Sequence, residues 1–85
     1  MAGYSLDIKK SAAKELATLP TKDCQRVVAR IQSLAIEPRP HGAEKLTADD
    51  KYRLRQGNYR ILYQIDDEAQ RVTIVKIADR KEAYR

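Results

Sequence analysis

The sequence predicts an α+β fold: a short first strand, an antiparallel helical hairpin, then an antiparallel β-meander, with both helices on one face of the sheet. Three observations predict it. Residues 4–8 alternate apolar and polar side chains, residues 10–35 carry two apolar stripes at helical spacing, and residues 52–63 read as two strands around a Gly-Asn turn. The 85 residues are expected to form one domain spanning 1–85, near the size where a single core is adequate but not generous.

Tyr4-Ser5-Leu6-Asp7-Ile8 is the first strand, with Tyr4, Leu6 and Ile8 sharing one face. Lys10–Leu19 follows as a helix with Ala12, Leu16 and Leu19 on one side, and Pro20 ends it or sits at the joint. A second helix runs from Thr21 to about Ala35. Its stripe is Cys24, Val27, Val28, Ile31, Leu34 and Ala35, while Lys22, Gln25, Arg26 and Arg30 are expected to look outward. Two helices joined so tightly run antiparallel.

Glu37-Pro38-Arg39-Pro40-His41-Gly42 is a turn-rich connector. Ala43–Leu46 is a brief strand or irregular edge, and Asp49-Asp50 mark a turn. The hairpin Tyr52-Arg-Leu-Arg-Gln-Gly-Asn-Tyr-Arg-Ile-Leu-Tyr63 comes next, with Gly57 supplying the positive φ that its turn requires. A two-residue loop pairs Gln56 with Tyr59, Arg55 with Arg60, Leu54 with Ile61 and Tyr52 with Tyr63. Tyr52, Leu54, Ile61 and Tyr63 then share one face, and Arg53, Arg55 and Arg60 share the other with Leu62. Asp66–Gln70 turn the chain into a last strand, Arg71–Ile77.

The arginine face is costly to build. Two guanidinium groups on directly paired residues repel by about 1 kcal/mol in water and about 3 at a half-shielded surface. An anion between them reverses the sign, because each charge-assisted hydrogen bond to a phosphate contributes roughly 1.5–3 kcal/mol and Arg makes two at once. The plain alternative is a solvated basic face.

Composition sets the limits on function. The formal net charge is +5. Residues 51–85 hold nine Lys/Arg against five Asp/Glu, which is +4, and they hold Tyr52, Tyr59, Tyr63 and Tyr84 as well. Basic charge interleaved with aromatic rings suits nucleic acid and equally suits an acidic protein. A lone Cys24 and a lone His41 form no disulfide and no metal-ligand set, so metal chemistry is not expected. His41 reads as an exposed loop residue, Cys24 as a small core residue, and Asp66-Asp67-Glu68 as turn residues. No stretch is apolar enough for a membrane span and no signal peptide opens the chain, so a cytoplasmic protein is expected.

The tail Ala78-Asp-Arg-Lys-Glu-Ala-Tyr-Arg85 places Arg80 and Tyr84 four apart, on one side of a helix or an extended chain. Alone it reads as a frayed basic terminus.

YRLRQGNYRILYQI followed by IVKIADRKEAYR resembles the RelE branch of the RelE/ParE toxin superfamily, and the likeness in element order covers the whole chain. The resemblance implies a toxin of a toxin–antitoxin pair that enters the ribosomal A site and cuts messenger RNA without metal or other cofactor. By the family's pattern, Arg53 and Arg55 would grip RNA phosphates, and Arg60, Arg80 and Tyr84 would be catalytic. Arg60 would stabilise the phosphorane and Arg80 would hold the leaving-group side. Tyr84 would be the general base or a ring that stacks on the substrate. Some relatives have lysines at the hairpin positions, one of them considered a proton acceptor; Arg55 cannot take that role. Asp79 stands where a His is frequent. The resemblance further implies an acidic, RelB-like antitoxin, a toxin–antitoxin complex that binds its own operator DNA, and the ribosome with A-site mRNA as target. The competing expectation is a ParE-like, non-catalytic toxin that inhibits DNA gyrase by binding. A general RNA-binding module ranks below both, since no single-strand aromatic platform is evident.

Overall fold

The computed structural model describes residues 3–46 and 50–79. Its elements run β1 (Ser5–Ile8), α1 (Lys10–Ala17), α2 (Thr21–Ser33), β2 (Glu44–Lys45), β3 (Lys51–Gln56), β4 (Tyr59–Asp66) and β5 (Arg71–Asp79). The five strands form one sheet in the order β1-β5-β4-β3-β2. β1 runs parallel to β5, and every other neighbouring pair is antiparallel. The predicted α+β architecture, two helices on a mostly antiparallel sheet, is the one observed.

Local chemistry explains the joints. Pro20 is the N-cap of α2 with φ −54°, while α1 already ends at Ala17 with Thr18 as its C-cap. Asp23 then lies in the first turn of α2, where a negative charge meets the positive end of the helix dipole. Gly57 has φ +59° while Asn58 is not among the positive-φ residues. Positive φ at the first turn position alone marks a type II′ hairpin, whose twist matches its strands. The pairing Arg55 with Arg60, Leu54 with Ile61 and Tyr52 with Tyr63 follows.

One side of the sheet takes the helices. Ala12, Val27, Ile31 and Leu34 pack on Leu54, Ile61, Tyr63, Val72, Ile74 and Ile77, all buried. Strict alternation along β5 would put Lys76 beside Ile74 on this face. A bulge prevents that: Leu62 pairs with Lys76 but Tyr63 pairs with Ile74, so Val75 is the extra residue and Ile77 returns to the core. Beyond the end of β1, α1 protects the bare edge of β5. Glu15 on α1 accepts the Ile77 backbone N–H at 3.0 Å and the Lys76 ammonium at 2.8 Å.

Three details differ from the sequence reading. Arg30 is half-buried, and its Nε finds no hydrogen-bond partner among the described residues. Val27, Ile31 and Leu34 flank it on α2, so its apolar stem follows their stripe. Leu6 and Ile8 do face the core side, paired with Val72 and Ile74, yet as residues of an edge strand they remain 36% and 37% exposed. Cys24 is half-buried at the margin of the core.

Candidate functional site

The sheet face away from the helices carries the predicted arginines, but they are not equivalent. Arg53 forms an ion pair with Glu44, its partner across the β2–β3 pairing. Its charge is therefore partly neutralised. Arg55 is exposed, and among the described residues no carboxylate pairs with it. Arg60 lies opposite it and is only 8% exposed, with contacts of its own. A small hollow of about 30 Å³ lies between them, walled by Arg55, Arg60 and the turn residues Gly57, Asn58 and Tyr59. Residues Arg55 and Arg60 and the tight turn thus wall a small space on the hairpin tip.

Tyr59 ties this tip to the helices. Its hydroxyl donates to Asp23 Oδ2 at 2.8 Å, and that bond to a carboxylate raises its pKa above the ordinary tyrosine value. Asp79, the last residue of β5, pairs with Tyr59, so β5 ends beside the arginine pair. Leu19, Pro20, Tyr59 and Ile77 line a groove at this end together with the charged Lys14, Glu15 and Asp79. Arg80 and Tyr84 lie outside the described residues. The structure thus brings Arg53, Arg55 and Arg60 onto one face.

The opposite end of the sheet holds a network that the sequence reading missed. Arg39 makes a two-pronged ion pair with Asp67, Nη1 to Oδ1 at 3.1 Å and Nη2 to Oδ2 at 2.9 Å. Its Nε donates to the Tyr52 hydroxyl at 3.1 Å, and its guanidinium carbon lies 5.4 Å from the Tyr52 ring centre. The Tyr4 hydroxyl donates to Asp67 Oδ1 at 2.7 Å. Arg39 and Tyr4 together hold the Asp67 carboxyl below the usual carboxylate range, while Asp67 raises the Tyr4 hydroxyl. Asp67 is therefore more than a turn residue. Tyr63 stacks on Tyr52 with ring centres 5.7 Å apart and donates to the Pro38 carbonyl at 2.8 Å. Burial pushes the Tyr63 hydroxyl up to about 12.

These upward shifts bear on chemistry. Tyr4, Tyr59 and Tyr63 all hold their protons more firmly than free tyrosine, so none is suited to act as a phenolate base. Among the described residues no three His, Cys, Asp or Glu side chains gather as a metal site, and no helix is long and apolar enough to cross a membrane. His41 is an exposed loop residue.

Residues 6–84 match the family described as the ParE toxin of the type II toxin–antitoxin system parDE. Toxin RelE of Mycobacterium tuberculosis is 35% identical, over 96% of this chain and 87% of that protein. The chain belongs to the RelE/ParE toxin superfamily, in its RelE branch. Solved RelE structures carry the same fold. The toxin–antitoxin complex RelBE2 of M. tuberculosis superposes with a TM-score of 0.83 at 30% identity, covering 94% of each chain. The archaeal RelE–RelB complex of Pyrococcus horikoshii gives 0.80 at 30% identity, over 94% of this chain and 97% of that one. The isolated RelE toxin of E. coli gives 0.79 at 25% identity, over 95% and 90%.

Proposed function

We propose that this RelE-branch protein is the toxin of a type II toxin–antitoxin module and acts as a ribosome-dependent, metal-independent endoribonuclease on A-site mRNA. The observation that carries the reading is Arg55 directly opposite Arg60 around a hollow of one anionic oxygen's size. Cleavage needs the 2′-hydroxyl deprotonated, the phosphorane stabilised and the 5′-oxygen protonated. In this proposal Arg60 meets the phosphorane, and Arg53 and Arg55 grip phosphates, with Arg53 the weaker because Glu44 shares its charge. Arg80 holds the leaving-group side, and Tyr84 is the base or a stacking ring. Positioning the RNA in line falls to the ribosome, since the arginines supply charge and not the bend that in-line attack needs.

The partner in this proposal is an acidic, RelB-like antitoxin that covers the basic face, and the pair binds its own operator DNA. RelE–RelB complexes among the structural relatives support that partner. The match to a family described by ParE favours a second reading, gyrase inhibition by binding alone. Primer extension on ribosome-bound mRNA beside free RNA separates the two. Cuts confined to the A-site codon are expected. A folded protein that cuts neither sample would leave gyrase as the target to test.

A further inference from the structure

We propose that the tip of the β3–β4 hairpin and the first turns of α2 form a site for one nucleotide of single-stranded RNA, with a phosphate between Arg55 and Arg60 and a guanine base in the notch behind the turn. The proposal deepens the nuclease reading and rests on it for the biological source of that nucleotide.

Two hollows meet at this tip. The arginine hollow and a second one of about 120 Å³ share Gly57, Asn58 and Tyr59 as a common wall. Beyond those three, the second is lined by Asp23, Arg26, Val27 and Gln56. Its volume is about that of four waters, room for one planar heterocycle. A nucleotide has the matching shape, a phosphate joined through a sugar to a flat base. The turn carries no side chain at Gly57, where a Cβ would stand in open space, so a sugar can pass over it.

The groups lining the notch favour one base. Asp23 already receives the Tyr59 hydroxyl on Oδ2, which fixes the carboxylate and leaves Oδ1 to accept from a ligand. Arg26 lies three residues on along α2, on the same side, and forms no ion pair among the described residues. The notch thus offers a fixed acceptor beside a strong forked donor. Guanine presents N–H donors at N1 and N2 and acceptors at O6 and N7, and meets both. Adenine has only the N6 amino donor and would set a ring-nitrogen lone pair against the carboxylate. The Gln56 amide, half-buried at the rim of the notch, adds one further donor and acceptor.

The test is an NMR titration of the full 85-residue chain with GMP, AMP and inorganic phosphate. Phosphate alone is expected to move signals of Arg55, Asn58 and Arg60. GMP is expected to move Asp23, Arg26 and Gln56 too, and to bind roughly tenfold more tightly than AMP. Arg26→Ala, at an exposed helix position, should bring GMP down to the affinity of AMP while the rest of the spectrum stays unchanged. Equal affinity for GMP and AMP, or GMP shifts confined to those of phosphate, overturns the site. Primer extension keeps the two claims apart. A-site cutting without GMP selectivity removes the notch and keeps the nuclease, whereas GMP selectivity without cutting keeps the notch and removes the nuclease.

Discussion

The two ends of the sheet use the same residue types in opposite ways. At one end Arg39 meets Asp67 through both prongs, lies over Tyr52 and is joined through Asp67 to Tyr4. At the other, Arg55 faces Arg60 across the hairpin with no described carboxylate on Arg55. Each end has a tyrosine hydroxyl bonded to an aspartate, Tyr4 to Asp67 and Tyr59 to Asp23. The lesson lies in where the acid stands. Asp67 neutralises its arginine and closes a chain contact spanning 63 residues, which serves folding. Asp23 fixes a tyrosine and forms no ion pair with Arg55, so the charge of Arg55 is not offset at that end by a described carboxylate.

The largest expected effect breaks this contrast directly. Arg55→Ala should lower A-site cleavage by roughly 10–100-fold, the cost of losing a charge-assisted phosphate grip, without lowering Tm, because it also removes like-charge repulsion. Arg39→Ala should do the reverse. Cleavage stays near wild type while stability falls by about 0.2–1 kcal/mol, the worth of an exposed ion pair. Single-turnover cleavage and thermal melts on both variants check the pair. A matching loss of activity in Arg39→Ala would erase the distinction between the ends.

How legible each end was follows from the range of its interactions. The arginine pair was readable because a two-residue Gly-Asn loop fixes register locally, and Leu54, Ile61 and Tyr63 left only one face for the charges. The Arg39 network was not, because it joins the connector, β3 and the β4–β5 turn, and no spacing in the chain encodes that meeting. Asp67 looked like its turn neighbours. Parallel pairing of β1 with β5 was hidden for the same reason. The bulge at Val75 hid the orientation of Lys76, since a period of two cannot announce its own interruption. Arg30 misled because a long side chain beside an apolar stripe can bury its stem.

Two smaller effects sharpen the structural end. Tyr63→Phe removes the donor to the Pro38 carbonyl in a buried setting and should cost about 1–2 kcal/mol, roughly 5–15 °C in Tm, with cleavage per folded molecule unchanged. Glu15→Ala uncovers the Ile77 amide on the β5 edge and should cost about 0.5–1 kcal/mol. Its decisive readout is hydrogen exchange: faster exchange at Ile77 in Glu15→Ala, restored in Glu15→Gln, which keeps the acceptor but not the charge offered to Lys76.

The smallest effect is a pH dependence. Arg39, with Tyr4, depresses the Asp67 pKa in the folded state, so the unfolded chain binds this proton at a higher pH than the folded one does. The stabilisation is therefore complete above the unfolded value of about 3.9 and is lost as pH falls through the lower folded value. Melts of wild type and Asp67→Asn should differ at neutral pH, and the gap should close on acidification below that range. A gap constant to the most acidic folded conditions would mean that Asp67 acts through shape and hydrogen bonding without its charge. The contrast between the two ends would then rest on geometry alone.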